Sequence, residues 1–366
     1  MPAPRSLKPS GRRRNPPAAL STSIRRKLLA WFQAEARDLP WRGTHDPYAI
    51  WVSEVMLQQT QIATVIPYYL RFLEAFPVVA ELAAAPLERV LELWSGLGYY
   101  RRARHLHQAA QAVAENFRGR FPEDYAALRT LPGIGDYTAR AVLSIAFNQP
   151  YAVLDGNVAR VVARLFALHG HLQQPRFRRE VEAELATLLS RPHPGQFNEA
   201  MMELGQTICL PRGPRCSACP LEKWCQGFLS GNPQAYPLPR PRRAAESHYL
   251  ATALIRRGTR VAMVRGLEDG LLDGLWNFPA AFGRSRAHSL DALREKLHLL
   301  THGSVSLGEP LAEFRHTITY RSIRGHIYPV EGVRGNLRGA VRWFELASVP
   351  HAAISQLARK IVQAIA

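Results

Sequence analysis

The sequence predicts a multidomain chain, with an all-α first part and an α+β second part. Three observations carry this. Apolar residues recur at helical spacing up to Phe228, with no confident strand pattern. Prolines and arginines from Leu229 to Glu246 then break the periodicity. Beyond them the spacing turns to alternation, as in Ala251 to Val264 and Thr317 to Val330, before a closing helix at about Ala352 to Ile365. The expected divisions are a disordered basic arm at 1–20, a helical domain at 21–228, an extended, semi-rigid linker at 229–246 and a C-terminal domain at 247–366. A length of 366 residues suffices for two cores.

Charge narrows the partner. Lys and Arg number 47 against 29 Asp and Glu, a net +18, which favours a polyanion and most simply nucleic acid. No run of 18 apolar residues exists, so no membrane span is expected. No apolar segment of the secretory kind follows the basic start, so secretion is not expected. Arg5, Lys8 and Arg12-Arg13-Arg14 precede the first acidic residue, Glu35. That composition suits an arm that strengthens phosphate contact, and a mitochondrial transit peptide shares it.

A first helix is expected from about Ser23 to Arg37, ended by Leu39-Pro40-Trp41-Arg42. Asp46-Pro47 reads as a cap and first position for the next helix, which carries Trp51 to Gln61. Glu54 sits there among apolar residues, where burial would raise its pKa. The polar run Gln58-Gln59-Thr60-Gln61 suits either a groove or a polar helix end. Further helices are expected at Thr64–Phe76, Pro86–Trp94, Tyr100–Phe117, Phe177–Leu189 and Phe197–Cys209. Gly96-Leu97-Gly98-Tyr99-Tyr100 with Arg101, Arg102 and Arg104 behind it combines aromatic and basic groups, as a loop near DNA does.

Leu131-Pro132-Gly133-Ile134-Gly135 joins a short helix, Pro122 to Arg129, to one beginning at Asp136 or Tyr137. Proline stops the first helix, glycines permit the turn, and the second helix N-terminus offers N–H groups to a phosphate oxygen. This is the pattern of a helix-hairpin-helix, although a plain Pro-Gly turn shares it. About twenty residues on stands Asp155, in Val153-Leu154-Asp155-Gly156-Asn157. Asn157 is the expected N-cap of the following helix, and Asp155 is either its neighbour or a catalytic carboxylate. All four cysteines fall at 209, 216, 219 and 225, too clustered for a disulfide scaffold. Four thiolates in a loop after a helix suit a 4Fe–4S cluster; structural zinc is the alternative.

Taken together and in order, these motifs resemble the MutY-type adenine-DNA glycosylases of the endonuclease III superfamily, over most of the chain. The resemblance implies an all-α helix-hairpin-helix glycosylase domain with an iron–sulfur loop, plus a C-terminal α+β Nudix-like domain. It implies a six-helix-barrel module beside a cluster-bearing module, with the active site in the cleft between them. The implied activity is removal of adenine mispaired with 8-oxoguanine or guanine in double-stranded DNA, by a monomeric enzyme of the bacterial cytoplasm and nucleoid.

By resemblance, Glu54 is a general acid, Asp155 stabilises the sugar cation, and Tyr137 and Asn157 support them. Trp41, Arg42, Leu57 and Glu199 line the adenine pocket. Gln59 and Tyr99 wedge into the duplex, and Gly133, Ile134 and Gly135 grip its backbone. Cys209, Cys216, Cys219 and Cys225 hold the cluster. The lyase branch has lysine where this chain has Tyr137, and tyrosine has no amine for a Schiff base. A monofunctional glycosylase is therefore expected. A lyase-type pyrimidine glycosylase and a non-enzymatic iron–sulfur DNA-binding protein are the alternatives.

Two departures concern the C-terminal domain. Gly274-Leu275-Trp276-Asn277-Phe278-Pro279 resembles the Nudix-like part of the family, yet Arg294-Glu295 is followed by Lys296-Leu297 instead of the metal-binding carboxylates. A recognition domain is expected, not a second enzyme. The family's Phe-Ser-His becomes Phe314-Arg315-His316. A serine hydroxyl can accept the N7 hydrogen of 8-oxoguanine, whereas arginine only donates, so discrimination is expected to differ or weaken.

Overall fold

The computed structural model describes residues 18–239, 244–266, 275–301, 305–318, 320–331, 333 and 337–365. The arginines of the basic arm, residues 240–243 of the linker and Gly274 lie outside the described residues. The helices of the first part are α1 Ala18–Glu35, α2 Pro47–Leu57, α3 Ile62–Ala75, α4 Val79–Ala84, α5 Leu87–Trp94, α6 Arg101–Asn116, α7 Tyr125–Thr130, α8 Asp136–Ala146, α9 Gly156–Leu165, α10 Pro175–Leu188, α11 Pro194–Thr207 and one turn, α12, Gln226–Leu229. The expected helices form, except that α2 stops at Leu57, so Gln58, Gln59, Thr60 and Gln61, expected on that helix, make the turn after it. α1 begins at Ala18, inside the stretch expected to be disordered. The six-residue α4 and the single turn α12 are too short to show a period.

The described residues group into two compact units, those of 18–54 with 121–239, and those of 55–120 with 244–365. In the first unit Ile24, Leu28 and Phe32 of α1 meet Val158, Val161, Val162 and Leu165 of α9 and Phe197, Met201 and Leu204 of α11. Their three- and four-residue spacings put each set on one helical face. Burying each such side chain stabilises by about 1.5–3 kcal/mol. The start of the expected linker also packs here. Tyr236 stacks edge-on against His169 and gives its carbonyl to Arg164, and the Leu238 N–H donates to the Gly170 carbonyl. The reason is that Arg164, only 2% exposed, needs acceptors and Tyr236 supplies one.

In the second unit α6 buries Ala103, Leu106, Ala109, Ala110 and Val113 on one face. The C-terminal strands are β1 Glu246–Leu254, β2 Arg256–Arg257, β3 Arg260–Arg265, β4 Trp276–Asn277, β5 Ala280–Gly283, β6 Ser306–Leu307, β7 Ala312–Ile318, β8 Arg321–Glu331 and β9 Val341–Glu345, with helices α13 Arg286–Thr301 and α14 Gln356–Ile365. One sheet runs β5-β1-β8, β1 and β8 parallel, with β7 and β6 pairing antiparallel to β8. The other runs β2-β3-β4, with β9 on β3. Arg257-Gly258 does turn, Gly258 at φ +60°. Arg324-Gly325, expected as a turn, lies inside β8 instead. Gly325 is there because the Phe314 ring covers it from β7; a Cβ would fall 2.1 Å from Phe314 Cζ.

Candidate active site

Asp46 starts α2. Its carboxylate accepts from the N–H groups of Tyr48 at 3.0 Å and Ala49 at 3.3 Å, and Pro47 takes the first position. Two turns on, Glu54 is 6% exposed among Trp51, Val52 and Val55. Burial pushes its carboxyl up to about 7, against a hydrogen bond from Tyr137, with the nearby charges of Asp155 and Glu199 adding to the rise. Tyr137 is the second residue of α8. Its hydroxyl also lies 3.2 Å from Met202 Sδ of α11, and burial holds its pKa well above the usual 10.

Asp155, not Asn157, caps α9. Its Oδ1 accepts from the Val158 N–H at 2.7 Å, and Gly156 opens the helix. In Asp-Gly-Asn either outer residue can cap, but only the earlier one leaves Asn157 inside the helix to serve it. Asn157 Nδ2 donates to Asp155 Oδ2 at 2.8 Å, while its Oδ1 accepts from Arg160 Nη2 at 2.9 Å. Both oxygens of Asp155 thus act as acceptors, at the end of a helix that favours negative charge. α11 approaches closely, and a Cβ on Gly205 would stand 2.8 Å from Asn157 Cβ.

α11 brings Glu199 near Arg42, two of the adenine-pocket candidates, beside Arg37 and Glu203, which sequence reasoning missed. Glu199 lies 3.9 Å from Arg42, and burial raises its pKa against the pull of Arg42 and His45. Trp41 is buried beside Arg42 in the chain. Glu203, 1% exposed, accepts from Arg37 at 2.6 and 2.8 Å and from Arg42 Nη2. Burial pushes its carboxyl up, and the two guanidiniums more than offset this. The available signal was the i,i+4 spacing of Glu199 and Glu203, a like-charge pair on one helix face that calls for cations. Replacing Glu203 by Gln is expected to cost about 2 kcal/mol, less than a fully buried pair because Arg37 is 39% exposed. Urea unfolding against the native protein measures it; an unchanged midpoint would show the pair to be idle.

The hairpin turns at Gly133, φ +76°, with α7 before it and Gly135 as the N-cap of α8. Ile134 is buried, and its carbonyl accepts from Arg129 at 3.0 Å. Gly135 has ordinary φ and its nearest neighbour to a Cβ is Arg129 at 3.7 Å, so nothing in the chain itself demands glycine there. Leu57 ends α2, one turn beyond Glu54. In the other unit, Gln59 and Tyr99 are exposed and both have positive φ, +59° and +49°. On β7, Arg315 is exposed while Phe314 and His316 are half-buried. Arg294 and Glu295 are exposed on α13.

The thiols of Cys209, Cys216, Cys219 and Cys225 all line one cavity, with Arg164 and Phe228. Burial pushes Cys219 up to about 12, its three fellow thiols adding to the rise, and Arg164 Nη1 lies 3.3 Å from Cys209 Sγ.

Residues 52–190 match the family described as HhH-GPD superfamily base excision DNA repair protein, and residues 251–364 match the NUDIX domain. The adenine DNA glycosylase of Rattus norvegicus is 36% identical over 400 residues, covering 93% of this chain and 77% of that protein. The adenine DNA glycosylase of Buchnera aphidicola subsp. Acyrthosiphon pisum (strain APS) is 30% identical over 345 residues, covering 92% and 95%. A solved structure of a thermostable thymine-DNA glycosylase is similar with a TM-score of 0.52 at 27% identity, over 57% of this chain and 97% of that one. With these relatives on both domains and the carboxylates of α2 and α9 brought to one tyrosine, the chain belongs to the adenine DNA glycosylases of the HhH-GPD superfamily.

Proposed function

We propose that this adenine DNA glycosylase excises adenine paired with 8-oxoguanine or guanine in double-stranded DNA, with Glu54 as general acid and Asp155 as stabiliser of the sugar cation. The observation that carries the assignment of roles is the contrast between the two carboxyls. Glu54 is buried and pushed up to about 7, while Asp155 holds two hydrogen-bond donors at a helix end. Adenine is a poor leaving group as an anion. Glu54 delivers its proton to a ring nitrogen as the bond to C1′ breaks and its electron pair leaves with the base. Positive charge grows on the sugar, where Asp155 opposes it, and water then adds to C1′ and gives up a proton to the Glu54 carboxylate, which leaves an abasic site and restores the acid. Tyr137 orients Glu54, and Asn157 orients Asp155. With no amine at position 137, no Schiff base forms and the strand stays intact.

Trp41, Arg42, Leu57 and Glu199 receive the flipped adenine, with Glu203 holding Arg42. The backbone at Gly133, Ile134 and Gly135 takes a phosphate, and the group nearest to where a Gly135 Cβ would stand is the Arg129 guanidinium at 3.7 Å, a cation suited to such a partner. Gln59 and Tyr99 wedge into the duplex. Arg315 stands directly opposite Arg324 in the β7–β8 register, both exposed. Like charges placed so destabilise a sheet, and an anionic or oxygen-rich partner relieves them. Arg315 therefore contacts phosphate or the O6 or O8 edge of the opposite base, with Phe314 and His316 backing it.

The four thiols fit a 4Fe–4S cluster. All four cysteines line one cavity. Arg164 beside Cys209 suits the net negative charge of such a group. When bound, it ties the loop from Cys209 to Cys225 together.

Single-turnover adenine release from duplexes with adenine opposite 8-oxoguanine, guanine or thymine tests the reading. Release from the first two and not the third is expected, with no covalent adduct on borohydride treatment. Strand cleavage at pyrimidine lesions with a trapped adduct would establish the lyase alternative. Tight binding without release would establish the non-enzymatic one.

A further inference from the structure

Gln59 and Tyr99 are two of five non-glycine residues with positive φ among those described, and one side chain holds the backbone beside both. Arg102, in the first turn of α6, points its guanidinium at carbonyl groups alone and one hydroxyl. Nη1 donates to the carbonyls of Val55 at 2.9 Å, Met56 at 2.8 Å and Gln58. Nη2 donates to Thr60 Oγ1 at 3.1 Å and to the carbonyls of Gly98 at 3.2 Å and Leu97 at 3.5 Å. The Gln58 carbonyl immediately precedes Gln59, and the Gly98 carbonyl immediately precedes Tyr99. The guanidinium carbon is also 5.4 Å from the ring centroids of both Tyr99 and Trp94.

Apart from the two rings, this arrangement is unfavourable for a cation. The guanidinium is desolvated, which lowers its pKa to about 10. None of its hydrogen-bond partners is a carboxylate. A positive charge in the first turn of a helix opposes the dipole. In return, Arg102 supplies donors to carbonyls at the C-terminal end of α2 that no helical N–H reaches. Arg102 itself lies 42 to 47 residues of sequence from Thr60 and Val55, and through it that end is tied to the Gly96–Tyr100 loop. A left-handed backbone at Gln and Tyr is costly and persists only where the surroundings over-determine it.

We propose that Arg102 is the positioning residue that holds Gln59 and Tyr99 in their left-handed backbone conformations together, so that both side chains are presented to the duplex as one preformed wedge. The proposal rests on the reading of Gln59 and Tyr99 as wedges. Lysine keeps the charge, and with it attraction to DNA, but an ammonium cannot span two sets of carbonyls as a planar fork does.

The test uses the full-length holoprotein and a duplex carrying 2-aminopurine beside the mispaired adenine, read by its fluorescence on binding, alongside single-turnover adenine release. Gln59→Ala and Tyr99→Ala are expected to reduce both signals. Arg102→Lys is expected to lower release at least tenfold and to suppress the fluorescence rise, with little change in thermal midpoint. In the Gln59→Ala, Tyr99→Ala background, Arg102→Lys is expected to change either signal less than twofold, since its effect runs through those two residues. An equal loss in both backgrounds would overturn the positioning role and leave the wedges standing. Full signals in Gln59→Ala and Tyr99→Ala would overturn the wedge reading itself. If Arg102→Lys melts early, Arg102→Gln repeats the comparison; failure of both to fold would make Arg102 a fold determinant and overturn the proposal.

Discussion

Glu54→Gln is expected to reduce single-turnover adenine release by about 10²–10⁴-fold, the usual contribution of a positioned general acid. Glutamine keeps the shape and the hydrogen bond with Tyr137 but has no proton to give, so DNA binding should persist. The same substitution should raise stability by an amount that depends on pH. Folded Glu54 titrates at about 7 against 4.5 for a free carboxyl. At pH below 4.5 both states hold the proton, and nothing is lost. Between 4.5 and 7 only the unfolded chain ionises, and folding loses about 1.4 kcal/mol per pH unit, roughly 3 kcal/mol in all. Glutamine removes that loss. Glu54→Gln should therefore melt higher than the native protein at about pH 8 and lose the advantage at about pH 4. Full activity in the variant would remove Glu54 from the chemistry.

Asp155→Asn is the second large effect. The asparagine oxygen can still cap α9 through the Val158 N–H. Its amide nitrogen, however, meets the Nδ2 of Asn157, donor against donor, and Asn157 cannot turn over without setting that nitrogen against Arg160. The negative charge proposed to face the sugar cation is gone. A loss of about 10²–10³-fold in release is expected, typical for one electrostatic stabiliser, and the pH dependence set by Glu54 should survive. Thermal melting separates this from a mere loss of the cap. If release is unchanged while stability falls, Asp155 is a helix cap and nothing more.

Much of this site was legible in the sequence because its signals are local. A glutamate inside Trp51-Val52-Ser53-Glu54-Val55-Met56 has no solvent to face, so burial and a raised pKa follow from the pattern. Asp46-Pro47, the Pro-Gly hairpin and the clustered cysteines each announce themselves within a few residues. The cap at α9 was misplaced by two positions because Asp and Asn serve equally well in isolation. What separates them is the Asn157 contact to Arg160, which only the folded helix provides.

Long-range partners were not legible. Glu203 meets Arg37 across 166 residues, and Arg102 reaches back to the end of α2; no spacing rule connects such pairs. Gly325 reads as a turn because the ring that requires it, Phe314, lies on another strand.

In the proposed mechanism a neutral Glu54 protonates the departing adenine. The pH dependence of the single-turnover release rate, on a duplex with adenine opposite 8-oxoguanine, tests it most directly. The rate should be level below the Glu54 titration at about 7 and fall about tenfold per pH unit above it. The residual rate of Glu54→Gln should show no such limb. A native rate that stays level through pH 9 would contradict the account.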